Sequence, residues 1–438
     1  MRVLDAICRA ITTSHKINKI KPNQYFRELK SINMTNETSN SIAAPCGMTN
    51  EMPDDAKLQR AYARLDKHMC YFAWQNAWTH PTASKYVSQL LTEIPKDISD
   101  PLKGRLAVVT GVTIGGAGYH VAEELAVALK MDVILLGRSL SKLQAAADSI
   151  KAKQKDQDPN SIGKIYQVLF DLNDLKTAVS ASRQIKQIAS EYGDALHILV
   201  NNAGGNTPDR KLTKQGIEVN TGRNFVAPHK LTLELMPLLR KAADISGSKF
   251  VPRVVFVASI GHISGIDFDV ERFMKYPDEG GCPESHMAKS SGDGVDPLEK
   301  SYRAGNFVGG SLMYMYAKYA MVAATYAWAK HEPKVAFYSL QPGSIASNFG
   351  SNAHWMLDFM YYKCFALFQY NPSQGAVSTL RACLDPTLAA AHPNGAYLDA
   401  SGNPCMPRAP SNKTPGQTVQ ELGEEIYQAT NKLCDQVL

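Results

Sequence analysis

The sequence predicts an α/β fold: one doubly wound parallel sheet in a single large domain, preceded by an N-terminal helical extension. Two observations predict it. From Gly104 onward, short apolar segments alternate with helical stretches, and a glycine-rich turn follows the first apolar segment. Strands of a parallel sheet are buried on both faces and are joined by helices, so they read as continuous apolar runs between helical patterns.

Six apolar segments are the predicted strands, each of the length usual for a buried strand. They are Leu106–Thr110, Asp132–Leu136, Ile165–Phe170, His197–Val200, Val254–Ala258 and Val335–Leu340. Helical stretches separate them and provide the crossovers that parallel strands require. The predicted helices are Ala117–Lys130, Leu175–Tyr192, Phe225–Ala242 and Ser311–His331, with a final helix near Leu422–Leu433.

A glycine-rich turn connects the first predicted strand to the helix that follows it. Glycine lets a backbone turn sharply and approach a pyrophosphate closely, and the start of the next helix offers unpaired N–H groups to phosphates. In this strand–turn–helix context, the turn favours a dinucleotide site of the Rossmann type over a plain turn. The predicted cofactor-binding residues of the turn are Gly111, Thr113, Gly115, Gly116, Ala117 and Gly118.

The end of the second predicted strand indicates which dinucleotide binds. Folds of this type that bind NAD place a carboxylate there for the ribose 2′-hydroxyl, whereas this chain has Gly137 and Arg138. A guanidinium group pairs with a 2′-phosphate. NADP(H) is therefore favoured over NAD(H), and the alternative is that Arg138 is only a solvated surface charge.

Three side chains are candidates for proton transfer. Tyr314 and Lys318 lie four residues apart on a predicted helix, so they share one face. A free tyrosine has a pKa of about 10, and a nearby ammonium group lowers that pKa towards neutral pH by stabilising the phenolate. An ordinary amphipathic helix would show the same spacing. Ser259 ends a predicted strand at the carboxyl edge of the sheet, where its hydroxyl could donate to a carbonyl oxygen.

Taken in order, these motifs resemble the short-chain dehydrogenase/reductase family over residues 101–438. The turn from Thr110 to Gly118 is similar to the glycine motif of the family, with one residue more between its first two matching glycines. Segments that resemble the adenine-contacting pair, the NNAG motif and the nicotinamide-contacting Pro-Gly segment follow. They imply cofactor contacts at Asp171 and Leu172, at Asn202, Ala203 and Gly204, and at Pro342, Gly343 and Ser347.

The resemblance implies hydride transfer between the nicotinamide and a carbonyl carbon or alcohol. Tyr314 is then the proton donor or base, Lys318 lowers its pKa and holds the nicotinamide ribose, and Ser259 is the catalytic serine. Asn220 is similar to the asparagine that holds a water molecule in the proton relay of the family, and Asn224 is its rival for that role.

The last part of the chain is similar to the retinol dehydrogenase-like branch, whose members act on lipophilic aldehydes, ketones and alcohols. Seven aromatic residues lie between Trp355 and Tyr370. Such a segment fits an apolar substrate or a peripheral membrane contact, and an inward-facing core helix is the alternative. A competing interpretation is a non-catalytic NADP-binding subunit or scaffold. A homo-oligomer is a further expectation.

The chain divides at its polar and irregular stretches. Residues 31–53 are polar and lack periodicity, and Asp54 or Asp55 could cap a helix that runs to about Trp78. The predicted divisions are 1–53, a flexible segment; 54–100, a helical extension; and 101–438, the Rossmann-type catalytic domain, with an insertion at 262–310 and an aromatic, substrate-side helix at 350–372.

Composition restricts the partners of the chain. The 438 residues are 44% hydrophobic and 20% charged, with a net charge of +6 and scattered basic residues, so a nucleic-acid partner is not implied. The 8 cysteines show no CxxC pair and no metal-ligand spacing, which favours reduced thiols in an intracellular protein and no metal site. No run of 18 apolar residues predicts a membrane span.

The first 30 residues are basic. Seven basic and two acidic residues lie between Arg2 and Lys30, and residues 1–13 could form an amphipathic helix. A mitochondrial or other organellar presequence, a membrane-surface anchor and a plain disordered tail are all compatible with this pattern. The compartment therefore stays open.

Overall fold

A computed structural model describes residues 80–93, 102–158, 163–207, 211–246, 250–264, 268, 270–274, 307–345, 369–391, 395–407 and 417–438. The predicted helices before residue 80, Ser347, most of the 262–310 insertion and most of the 350–372 segment lie outside these residues. The predictions on them, and the division of the chain into segments, stay predictions.

Eight strands form a single sheet. Each of the six predicted strands is present, with bounds that shift by no more than two residues, and two short strands follow them near the end of the chain. The strands are β1 Leu106–Thr110, β2 Asp132–Gly137, β3 Ile165–Leu169, β4 Ile198–Asn201, β5 Arg253–Val257, β6 Ala336–Leu340, β7 Ala396–Leu398 and β8 Pro404–Cys405.

The strand order is β3-β2-β1-β4-β5-β6-β7-β8, and every neighbouring pair is parallel except β7 with β8. The chain moves outward in one direction from β1 to β3 and in the other from β4 onward. The order thus reverses between β1 and β4, and open α/β sheets bind ligands at the carboxyl ends of strands at such a point. The predicted fold class, a Rossmann-type doubly wound sheet, is confirmed.

Helices flank the sheet on both faces, as the crossover rule requires. An apolar cluster lies on each face of the sheet, and both contain residues of β1 that are fully buried. In the part of the chain that the structure describes, no helix is long and apolar enough to cross a membrane. The helices are α1 Ala83–Glu93, α2 Ala117–Val127, α3 Leu140–Gln157, α4 Leu175–Ala189, α5 Val219–Thr221, α6 Ala227–Ser246, α7 Val270–Met274, α8 Phe307–His331, α9 Pro372–Gly375, α10 Val377–Leu384, α11 Pro386–Ala391 and α12 Val419–Val437.

Two of the displaced helix bounds have local causes. Helix α2 ends at Val127 rather than at Lys130, because Lys130 adopts a φ of 55° as the chain turns into β2. The predicted helix from Phe225 begins earlier, at α5, and passes through a π-helical turn, Gly222–Val226, before α6. A π turn of this kind frequently marks a functional site.

The last helix is fastened to the long helix α8. Helix α12 starts with a capping box, in which Thr418 and Glu421 each bond the backbone of the other. One turn further on, Gly423 lies so close to α8 that an added Cβ would overlap the carbonyl oxygen of Ala323. Only glycine allows this approach, and α8 carries both candidate catalytic residues Tyr314 and Lys318.

Candidate active site

The predicted phosphate-binding turn lies between β1 and α2, at the point where the strand order reverses. Gly111 has a φ of 74°, and a Cβ on it would lie 2.8 Å from the Cα of Ala203. A Cβ on Gly118 would overlap Nδ2 of Asn202. Helix α2 begins after Gly116 without a side-chain cap, so its first N–H groups can bind an anion. The turn therefore fits the pyrophosphate of a dinucleotide.

The other predicted residues of this turn shape its loop. Thr113 is half-buried, and its carbonyl oxygen accepts a hydrogen bond from the backbone N of Gly116 at 2.9 Å. Gly115 is exposed and has a φ of 82°, in the region that favours glycine. Ala117 is the first residue of α2 and is half-buried. The exposed side of the turn also carries the Ile114 side chain, which is 51% exposed.

The segment after β4 is bonded to the end of β1. Nδ2 of Asn202 donates to the carbonyl oxygen of Thr110 at 2.9 Å, and the backbone N of Ala203 donates to the Thr110 hydroxyl at 2.9 Å. Gly204 follows and is exposed. These bonds hold the two central strands together beside the glycine turn, where the resemblance predicts the cofactor.

Two arginines and one carboxylate lie close together near the ends of β2 and β3. Arg138 is exposed, directly after β2. Arg223, in the π turn, is half-buried and donates from Nε to Oδ1 of Asn173 at 2.5 Å. Burial lowers the pKa of the Arg223 guanidinium, the positive charge of Arg138 lowers it further, and Asp171 opposes both effects. Leu172 is half-buried against the core.

Lys318 is buried beneath the ends of β4 and β5. Its side chain is 3% exposed, and Nζ donates to the carbonyl oxygen of Val257 at 2.6 Å. Burial lowers the pKa of Lys318 to about 7. Nζ lies 5.7 Å from the centre of the Tyr314 ring, and a Cβ on Gly204 would lie 3.4 Å from it. The ammonium group therefore lies between the candidate proton donor and the predicted cofactor segment.

Ser259 and Tyr314 meet at Gly261. A Cβ on Gly261 would lie 3.4 Å from Oγ of Ser259 and 3.9 Å from Cε1 of Tyr314. The backbone N of Gly261 donates to Oγ of Ser259 at 3.1 Å. Behind them, Nδ1 of His262 lies 2.8 Å from the carbonyl oxygen of Ser259, and its ring packs 4.5 Å from that of Tyr397. The structure thus brings the serine, tyrosine and lysine together.

Asn220 is bonded to the loop after β4 and to Glu218. Its side chain is fully buried, accepts from the backbone N of Thr207 at 2.9 Å, and donates to the carbonyl oxygen of Thr207 at 2.9 Å. It also donates to Oε1 of Glu218 at 3.2 Å. Burial raises the pKa of the Glu218 carboxyl. The Asn220 side chain therefore fastens the loop after β4 to α5.

Asn224 lies closer to the lysine. Its Nδ2 donates to the carbonyl oxygens of Asn220 and Gly205, each at 2.9 Å, and its Oδ1 accepts from the backbone N of Gly205 at 2.9 Å. A Cβ on Gly204 would lie 2.6 Å from Oδ1 of Asn224 and 3.4 Å from Nζ of Lys318. The two rival asparagines are thus joined by one hydrogen bond, and the Asn224 side chain lies on the lysine side.

The Pro342–Gly343 turn leaves β6 at the same edge of the sheet. Gly343 has a φ of 79°, and a Cβ on it would lie 2.5 Å from the ring of Tyr370. The carbonyl oxygen of Ser344 accepts from the backbone N of Tyr370 at 2.8 Å. Ser347, which the resemblance adds to this segment, lies outside the described residues.

Sequence reasoning missed two residues of this region, Arg223 and His262. Arg223 had a weak signal, since it is a basic residue between the two candidate asparagines. His262 was assigned to the start of an insertion, whereas it lies in a 3₁₀ turn that directly supports the backbone of Ser259. Within the described ranges, no three His, Cys, Asp or Glu residues are grouped as metal ligands.

Comparison with known proteins identifies the family. The model of the family described as short chain dehydrogenase matches residues 105–266. An uncharacterized oxidoreductase of Schizosaccharomyces pombe is 30% identical over 347 residues, covering 77% of this chain and 87% of that protein. The chain belongs to the short-chain dehydrogenase family. This short-chain dehydrogenase is an NAD(P)-dependent oxidoreductase, and the Rossmann-type fold agrees with that membership.

Further relatives share parts of the chain. The human dehydrogenase/reductase SDR family member 12 is 27% identical over 266 residues, covering 60% of this chain and 67% of that protein. Mouse polyprenol dehydrogenase is 34% identical over 184 residues, covering 41% of this chain and 50% of that protein. These relatives are consistent with the predicted retinol dehydrogenase-like branch. A short chain dehydrogenase structure from Salmonella enterica is 20% identical with a TM-score of 0.46, covering 70% of this chain and 99% of that one.

Proposed function

We propose that this short-chain dehydrogenase uses NADP(H) to interconvert a lipophilic carbonyl compound and its alcohol. The observation that carries the proposal is the convergence of Tyr314, Lys318 and Ser259 around the residues that follow β5. The similarity to proteins named polyprenol dehydrogenase supports a lipophilic substrate. Peripheral membrane contact and a homo-oligomer belong to the same proposal as predictions.

The glycine turn and the segments after β4 and β6 would hold the cofactor. A turn in which Gly111 and Gly118 leave no room for a Cβ, followed by an uncapped helix start, suits a pyrophosphate. When bound, the nicotinamide supplies the hydride for the reaction. The chain itself then has to orient the substrate carbonyl and move one proton.

Three side chains divide that work. The Ser259 hydroxyl donates a hydrogen bond to the substrate oxygen, where negative charge develops during reduction. Tyr314 gives that oxygen its proton, and in the reverse direction accepts it from the alcohol. The positive charge of Lys318, 5.7 Å from the ring centre, stabilises the Tyr314 phenolate. Asn224, in the π turn, positions the loop beside Lys318, and Asn220 fastens that loop to α5.

Arg138, supported by Arg223, would select NADP(H) over NAD(H). Arg138 lies close enough to Arg223 for its charge to lower the pKa of the Arg223 guanidinium. Together the two guanidinium groups create a positive region that a 2′-phosphate would neutralise. Removing a charge-assisted contact loses about 1.5–3 kcal/mol, or roughly 10- to 150-fold in affinity. Arg138→Ala should therefore weaken NADPH binding far more than NADH binding in calorimetry. Arg183→Ala, on the exposed face of α4, is the control, and equal losses for both cofactors would refute the selection.

Turnover tests the catalytic proposal. Tyr314→Phe keeps the ring and removes only the hydroxyl, so kcat should fall by about 10²- to 10⁴-fold while the Kd of NADPH stays unchanged. Tyr316→Phe is the matched control, because Tyr316 has no lysine four residues later. The assay follows NADPH oxidation with retinal, steroid, fatty-aldehyde and polyprenal panels. Full turnover by Tyr314→Phe would refute the mechanism. A wild-type protein that binds NADPH but reduces no compound of the panel would favour the alternative interpretation, a non-catalytic NADP-binding scaffold.

A further inference from the structure

His80 and Ala83, at the start of the described chain, contact the segment Tyr370–Gln374. The His80 ring stacks on the Tyr370 ring, with centres 4.5 Å apart and planes inclined by 16°. Burial lowers the pKa of His80, so the ring is neutral at neutral pH. A neutral imidazole packed on a phenol ring is an aromatic stack, and such a stack shifts the equilibrium that forms it by about 2- to 12-fold.

The backbone around His80 is fixed to the same segment. The Gln374 side chain donates from Nε2 to the carbonyl oxygen of His80 at 2.8 Å. The backbone N of Ala83, at the start of α1, donates to Oγ of Ser373 at 3.0 Å. Gln374 is itself held by a capping box with Asn371. The backbone of His80 and Ala83 is thus bonded to residues about 290 positions away in the sequence, and these bonds place the His80 ring beside Tyr370.

Tyr370 transmits this contact to the turn after β6. A Cβ on Gly343 would lie 2.5 Å from Cδ2 and Cε2 of Tyr370 and 3.4 Å from Cβ of Ala400. The backbone N of Tyr370 donates to the carbonyl oxygen of Ser344 at 2.8 Å, and Ile345 forms a parallel bridge with Tyr370. Tyr370 is 2% exposed. The Gly343 turn, with its positive φ, therefore lies directly on a ring that His80 holds.

We infer that His80 is a positioning residue for the nicotinamide end of the cofactor site, acting through Tyr370 on the Gly343 turn. The inference rests on the proposed function, because that proposal assigns the Pro342–Gly343 turn to the nicotinamide. It makes the stretch from His80 to Glu93, within the predicted extension, a working part of the enzyme. The adenosine end, near Arg138 and the glycine turn, lies at other strands and should not respond to His80.

Two ligands separate the two ends of the site. NADPH carries the nicotinamide, whereas 2′-phospho-ADP-ribose carries the same phosphates and adenosine without it. Their Kd values are measured by calorimetry on the full-length chain, for the wild type, His80→Ala and His80→Phe. His80→Ala should raise the Kd of NADPH by a factor of up to about 12, the full value of the stack, and leave the Kd of 2′-phospho-ADP-ribose unchanged. His80→Phe keeps a stacking ring and should restore NADPH binding.

A control variant separates positioning from stability. Val87→Ala, in α1, removes buried contacts of the same extension without touching the His80 ring, and it should lower the melting temperature without a difference between the two ligands. Equal losses for both ligands in His80→Ala, or no loss for either, would overturn the inference. A wild type that binds neither NADPH nor NADH would instead overturn the proposed function.

Discussion

The fold opposes a positive charge on Lys318, and this has a measurable consequence for stability. Burial lowers the pKa of Lys318 from 10.5 to about 7 in the folded protein, and unfolding restores the ordinary value. Between these two pH values, the unfolded chain binds one proton more at this site than the folded protein does. The free energy of unfolding therefore rises with pH from about 7 to about 10.5, and the contribution is constant outside that window.

The size of the effect follows from the pKa difference. Each pH unit well inside the window contributes about 1.36 kcal/mol, and the lysine is half deprotonated at pH 7 in the folded protein, so the change from pH 7 to pH 9 stabilises the cofactor-free protein by about 2.3 kcal/mol through this residue. Methionine has a side chain of similar length and does not titrate, so Lys318→Met lacks the rise. The variant also leaves the carbonyl oxygen of Val257 without its hydrogen bond, a loss of about 1–3 kcal/mol at every pH.

The assay is urea unfolding of the full-length, cofactor-free protein at pH 7, 8 and 9, followed by circular dichroism. The free energy of unfolding of the wild type should gain about 2.3 kcal/mol over Lys318→Met between the first and last pH. Lys432→Met, at an exposed position on α12, controls for loss of a lysine charge in general. Parallel pH profiles for the wild type and Lys318→Met would refute the reasoning that burial depresses this pKa.

Three further predictions concern helix ends and packing. Gly423→Ala should destabilise the protein by about 1–3 kcal/mol in urea unfolding, because its Cβ overlaps the carbonyl oxygen of Ala323; unchanged stability would contradict this contact. Thr418→Ala should lower the free energy of unfolding by about 1 kcal/mol through loss of the α12 capping box, and Thr418→Ser should retain it. Asp174 caps α4, and its hydrogen bond with Lys214 lowers the pKa of the Asp174 carboxyl. The ionised carboxylate therefore stabilises the fold at neutral pH, and this stabilisation is lost as the pH falls through the lowered pKa. Asp174→Ala should therefore reduce stability more at pH 7 than at pH 2, and an equal loss at both pH values would contradict this.

The sheet was predictable because its strands are buried on both faces. Every residue of β1 and β5 is buried, and apart from Thr110 and Arg253 at their ends, each strand appears in the sequence as an apolar run. Strands β7 and β8 have only three and two residues, and apolar patterning does not distinguish such short strands from loops. The π turn was missed for a similar reason, since one extra residue per turn leaves no periodic signature.

Individual site residues were harder to predict than the motifs that contain them. Tyr314 and Lys318 share a helix, so their spacing alone places them on one face. Ser259 and Arg223 reach the site from other elements, and no local pattern relates them to that helix. The choice between Asn220 and Asn224 depended on which side chain lies nearer to Lys318. That proximity follows from the three-dimensional path of the chain through the π turn, and the sequence does not indicate it.

The sequence by itself determined the sheet, the glycine turn and the family motifs, because backbone constraints and strand burial act over a few neighbouring residues. The tertiary structure decided the pKa of Lys318, the neighbours of Arg138 and the stack of His80 on Tyr370. Each of these depends on groups brought together from distant parts of the chain. Desolvation and stacking depend on the distance between groups in space, and the separation of residues along the chain does not predict that distance.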